Sequence, residues 1–143
     1  MPPFSKKAYL LPRKTDSNNP SDWIFFAESE VQGLETLAER ELSYPMCQSK
    51  LAEVLEKVLK AELIRLGWFL ERTHDLEVLA NELESHRSDL AERVRPLCTS
   101  LAEVYFSGRY PGFDLDDPDW PSFRQKLHAV KEAIALVKTR LSS

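Results

Sequence analysis

Apolar residues recur every three or four positions through most of the chain, a period that predicts amphipathic helices rather than strands. The densest pattern runs from Met46 to Gly67, where Leu51, Val54, Leu55, Val58, Leu59, Leu63 and Leu66 form one stripe. Lys50, Glu53, Lys57 and Lys60 fall on the opposite side. Glu53 with Lys57, and Glu56 with Lys60, are acid-before-base pairs four apart, the order that supports a helix. Pro45 suits the first turn, where its missing N–H has no partner to lose, and Gly67 supplies a left-handed stop. The width of the stripe predicts a helix in the middle of a bundle.

The flanking segments follow the same period. A helix is predicted from a cap at Ser21 or Asp22 to about Ser43, with Trp23, Phe26, Ala27, Val31, Leu34, Leu37 (or Ala38) and Leu42 inward. Gly33 inside it costs about 1 kcal/mol relative to alanine, and a close helix–helix crossing is one reason to keep it. Ser43 and Tyr44 make a tight turn, so these first two helices should be antiparallel neighbours. Thr73 or Asp75 can cap a third helix, Asp75 to about Ser85, with Leu76, Leu79, Ala80 and Leu83 inward.

A fourth, about Ser88 to Ser107, carries Leu90, Val94, Leu97, Leu101, Val104 and Tyr105, and Pro96 either kinks it or divides it. Gly108 to Phe113 reads as a loop. Asp119, with Pro121 close behind, opens the last helix, about Trp120 to Leu141, on the stripe Phe123, Leu127, Val130, Ile134, Val137 and Leu141. The expected fold is all-α, an up-and-down bundle of four long helices plus a shorter fifth. Pro2, Pro3, Pro12 and Pro20 break up residues 1–20, which read as a flexible basic N-terminal arm. Residues 21–143 form the helical domain.

Composition narrows the function. A chain of 143 residues is long enough for one domain with a real core. Its net charge of −4 argues against a generally basic nucleic-acid binder but leaves room for a local basic patch. Lys6, Lys7, Arg13 and Lys14 against Asp16 make the arm basic. Cys47 and Cys98 are too few for a disulfide framework and read as buried, reduced thiols, so the expected location is cytoplasmic. No apolar run reaches the ~20 residues needed to cross a bilayer. His74, His86 and His128 lack zinc-ligand spacing, and Asp114 to Asp119 lacks the central glycine of a calcium loop. Neither a metal nor a cofactor is expected, and there is no Gly-rich phosphate loop or G-x-S-x-G.

Four short motifs occur in a telling order: Trp23 opening the first helix, Glu56-Lys57-Val58-Leu59-Lys60-Ala61, Thr73-His74-Asp75-Leu76, and Arg109-Tyr110-Pro111 before the last helix. In this the chain resembles HEPN domains (higher eukaryotes and prokaryotes nucleotide-binding), of the nucleotidyltransferase-associated type, over about Ser21 to Leu141. The resemblance implies a four- or five-helix bundle, usually a homodimer. It implies a nucleotide or RNA ligand, a minimal nucleotidyltransferase as partner, or in some members an RNase toxin of a toxin–antitoxin pair. The family often has glutamines one turn before the Glu-Lys pair, where this chain has Ala52 and Glu53.

The ribonuclease members resemble one another in an arginine followed, after a spacer of four to six residues, by a histidine. Metal-free cleavage of RNA needs a base for the 2′-OH and a cation at the pentacoordinate phosphorus, and these two residues supply them. Here the arginine is Arg109, and Asp114, Leu115 and Asp116 stand where the histidine should be. A carboxylate-rich loop repels the phosphate, so the chain reads as non-catalytic. The candidates for binding a nucleotide or RNA are Lys57, Lys60, Arg72, His74, Asp75, Arg109 and Tyr110. Each has a plainer alternative: Asp75 as a cap, His74 on a backbone carbonyl, Lys57 and Lys60 on a solvated face, and Arg109-Tyr110-Pro111 as a loop fixture. A purely structural protein-interaction domain is the remaining alternative.

Overall fold

The computed structural model describes residues 17–104, 111–112 and 117–142. Within them the chain forms five α-helices and no strand: α1 Pro20–Arg40, α2 Tyr44–Arg65, α3 Leu76–Ser85, α4 Leu90–Ala102 and α5 Trp120–Ser142. Helix α2 touches each of the other four, which makes it the axis of the bundle. Its core residues, among them Leu51, Val54, Leu55, Val58, Leu59 and Leu63, are almost wholly buried.

The helix ends follow local chemistry. Pro20 does not break α1 but begins it, with Asn19 as the cap whose side chain accepts from the Ser21 amide. The expected caps Ser21 and Asp22 therefore lie one and two places inside, because a proline is tolerated at the first helical position. The far end of α1 closes at Glu41, whose φ is 53°, with the Leu42 amide donating to the Leu37 carbonyl at 3.0 Å. That 6→1 bond is the Schellman pattern. Gly67 at φ 94° ends α2 as expected, the Trp68 amide reaching back to the Leu63 carbonyl. Pro96 lies within a continuous α4, so the helix is not divided there. The predicted continuation through Tyr105 to Ser107 lies outside the described residues.

Packing keeps the middle of the expected α1 stripe and changes its ends. Ile24, Ala27, Val31, Leu34 and Ala38 face the core, whereas Phe26 and Leu42 are exposed and Trp23 is only partly covered. The positions of α2 and α5 turn Ile24 inward at the start of the helix in place of Phe26. Gly33 faces open space, and a Cβ built on it meets nothing within 4 Å, so no crossing within the bundle requires it. Helices α1 and α5 are joined by three ion pairs running antiparallel along them: Glu41–Arg124 at 2.8 Å, Glu35–Lys131 at 2.6 Å and Glu28–Lys138 at 2.8 Å. At the closed end Tyr44, Trp120 and Phe123 meet edge to face, Tyr44 and Trp120 with centroids 5.0 Å apart. Among the described residues no helix is long and apolar enough to cross a membrane.

Candidate functional site

Because α2 packs against all four other helices, some of its charged residues cannot reach water. Lys60, expected on a solvated face, is only 3% exposed. Three groups make that burial tolerable. Glu56, one turn earlier, accepts from the Lys60 ammonium at 2.9 Å. Trp23 of α1 presents its ring 5.5 Å from Lys60 Nζ, a cation–π contact. His74, on the connection from α2 to α3, places Nδ1 3.0 Å from Glu56 Oε1 and 3.1 Å from Oε2. His74 thus pairs with a carboxylate, and its own side chain stays 64% exposed. A buried cation, a carboxylate and an exposed imidazole form one line from the core to the surface.

Lys57 lies beside this cluster but points elsewhere. Its ammonium sits 2.7 and 2.6 Å from the two oxygens of Glu30 on α1. The expected Glu53–Lys57 pair is replaced by this interhelix bridge, and Glu53 lies 3.5 Å from Lys50 instead. Arg72 is exposed on the same connection as His74. Asp75 caps α3, its Oδ1 accepting from the Glu77 and Val78 amides at 3.0 and 3.3 Å. Thr73 supports the turn through the Asp75 amide. Lys60 and His74 are therefore joined through Glu56, with Lys57 next to them and Asp75 turned to the helix end. Arg109 and Tyr110, with the Asp114 to Asp116 positions, lie outside the described residues.

A second charged centre escaped the sequence reading. Glu62 is 0% exposed, yet it accepts from Arg65 Nε at 2.7 Å, from Ser88 Oγ at 2.7 Å and from Arg140 Nη1. Arg140 also donates to Asp89. Burial pushes the Glu62 carboxyl up, but hydrogen bonds from Arg65 and Ser88 and the charges of Arg65 and Arg140 outweigh it and hold it below the usual carboxylate range. The hydrogen bond from Arg140 likewise lowers Asp89. The signal was present: Glu62 continues the series Leu55, Leu59, Glu62, Leu66, placing a charge within an apolar stripe. This network ties α2 to α4 and α5.

Other features add no chemistry. A shallow hollow of about 710 Å³ between α3 and α4 is lined by Glu84, Arg87, Asp89, Glu92 and Arg95, residues of both signs. Arg95 there is bonded to Asn81 and Glu84. Cys47 and Cys98 are buried free thiols, and burial pushes Cys98 up to about 12, so it is inert at neutral pH. No cluster of three or more His, Cys, Asp or Glu suited to a metal occurs among the described residues.

The order of elements, the Glu-Lys pair on the central helix and the His-Asp pair opening α3 are now placed in space. The family model for the HEPN domain matches residues 20–141, nearly all of the chain. The chain belongs to the HEPN domain family. Comparison with curated proteins and with solved structures gave no match. In this HEPN domain the Glu-Lys segment is the centre of the bundle and His74 is bonded to it, so two motifs 18 residues apart form one unit. In general terms the chain is a helical module of the nucleotide- and RNA-related kind.

Proposed function

We propose that this HEPN domain is a non-catalytic binding module that takes a nucleotide or a short RNA against the α2–α3 connection. It works as a homodimer and as companion to a minimal nucleotidyltransferase in the cytoplasm. The observation that carries the reading is the Glu56–His74 contact, which anchors a surface connection bearing Arg72 to the buried cation of Lys60. Arg72 and His74 are the exposed groups suited to a phosphate. Lys60 is buried and Lys57 is bridged to Glu30 on α1, so they contribute to the local field rather than to direct contact. Asp75 serves by fixing the start of α3. Arg109 and Tyr110 belong to the proposed set on sequence grounds. The absence of a histidine at positions 114–116, after a spacer of four to six residues from Arg109, supports binding without cleavage.

The test is a titration of wild type and of an Arg72→Ala/Arg109→Ala variant with labelled ATP, GTP and a short RNA. Affinity about tenfold weaker in the variant supports the proposal. Equal affinity overturns it, as does metal-independent RNA cleavage by wild type that Arg109→Ala abolishes.

A further inference from the structure

Phe69, on the connection from α2 to α3, is 91% exposed, more than any other large apolar side chain among the described residues. At that exposure both faces of its ring are open to water. The setting is fixed from both sides. Gly67 at φ 94° turns the chain, and the Trp68 amide is bonded back to the Leu63 carbonyl at 3.0 Å. Trp68 is buried and Leu70 packs against the core, so the ring between them is turned outward with an anchor on each side. Further along, the His74–Glu56 contact and the Asp75 cap hold the other end of the connection. The exposed rings of Phe25 and Phe26, by contrast, lean on each other edge to face with centroids 5.8 Å apart.

We infer that Phe69 is a stacking platform for an unpaired nucleobase, with Arg72 and His74 on the side of the phosphate. Arg72 lies three positions on and His74 five, so the extended chain separates their Cα atoms from that of Phe69 by at most about 11 and 18 Å. Side chains reaching toward each other can close that span to one nucleotide. Charge explains why an aromatic surface is needed. The connection sets Arg72 and His74 against the exposed Glu71 and Asp75, on a chain of net charge −4. So balanced a set draws a polyanion weakly, and most of the affinity has to come from the ring face. Every base has a π face, so the site takes all four with little preference. This role rests on the binding reading above and adds which part of the ligand the chain grips.

Titrations of wild type, Phe69→Ala, Phe69→Leu and Phe69→Trp with ATP, inorganic tripolyphosphate and a short unpaired RNA test it. Phe69→Ala and Phe69→Leu should each bind ATP and RNA about tenfold more weakly, and Phe69→Trp should bind at least as well as wild type. Tripolyphosphate carries no base, so whatever affinity it has should be the same in all four proteins. The ring is 91% exposed, so their thermal midpoints should coincide. Binding of RNA alone or of ATP alone, weakened in this pattern, supports the role and names the source of the base. Full affinity in Phe69→Leu overturns stacking in favour of a plain apolar contact, and loss of tripolyphosphate affinity in Phe69→Ala overturns it too. ATP and RNA affinities unchanged in Phe69→Ala but weakened in Arg72→Ala/Arg109→Ala overturn the role of Phe69 and leave the binding reading standing. A wild type that binds neither overturns both.

Discussion

His74 Nδ1 lies 3.0 Å from Glu56 Oε1, so an exposed ring on a connection is bonded to a carboxylate within the bundle. Removing the ring takes one hydrogen bond from Glu56 and leaves the one from Lys60. His74→Ala is expected to lower stability by about 1 kcal/mol in urea unfolding, the scale of one such bond. Faster amide exchange from Gly67 to Asp75 should accompany it. An unchanged exchange pattern would show that the contact does not hold the connection.

Lys60 presents a different balance. Lys60→Ala leaves the buried Glu56 carboxylate without its cation and should cost about 3 kcal/mol, as breaking one side of a buried pair does. Glu56→Leu/Lys60→Met removes both charges while keeping volume, and should be far closer to wild type. A double-mutant cycle reads the difference. If the double variant is as unstable as Lys60→Ala, the pair contributes through packing alone.

The Glu62 centre predicts an acid limit. Its folded carboxyl is held below the unfolded value, so the unfolded chain binds the extra proton as pH falls. The stabilisation is complete above the unfolded carboxylate value of about 4.3 and fades as pH drops through the lower folded value. Asp89 is shifted in the same direction and adds to it. Glu62→Gln should be less stable than wild type at pH 7 by about 2 kcal/mol, and the gap should close in acid. Parallel stability–pH curves would rule this origin out.

Capping and surface pairing should separate cleanly. Asp75→Ala removes the acceptor for two amides and should cost about 1 kcal/mol. Lys131→Ala breaks an exposed bridge to Glu35 and should change stability by under about 0.5 kcal/mol, less still in high salt. Thermal melts at two ionic strengths measure both.

The sequence was most legible where a helix has one wet side. In α3 the cap Asp75 and the inward Leu76, Leu79, Ala80 and Leu83 all follow from spacing, and each is found as expected. In α1 the expected Ala27, Val31, Leu34 and Ala38 are buried, but Trp23 and Phe26 drew the start of the stripe toward the bulky aromatics, where the neighbouring helices select Ile24. Helix α2 hid its chemistry for a physical reason. An acid and a base four apart read the same on a surface as in a core, so Glu56 and Lys60 gave no sign of burial. Glu62 did show itself against its apolar series, but its partner Arg140 lies 78 residues away, beyond any local pattern. Of the candidate binding set, the Lys60–Glu56–His74 line combines motifs read separately, and Arg109 with Tyr110 lies outside the described residues.

The bridges from α5 back to α1 span 83, 96 and 110 positions of sequence, whereas α1 and α2 meet across a connection of three residues, Glu41 to Ser43. Closing the longer loops costs more chain entropy before any contact rewards it. The lower closure cost favours an order in which the α1–α2 and α3–α4 hairpins gather first and the final helix docks last, like the stave that completes a barrel. Until it docks, Val31 and Leu34 border an open seam, and that seam is where a nascent chain is most vulnerable to sticking to its neighbours.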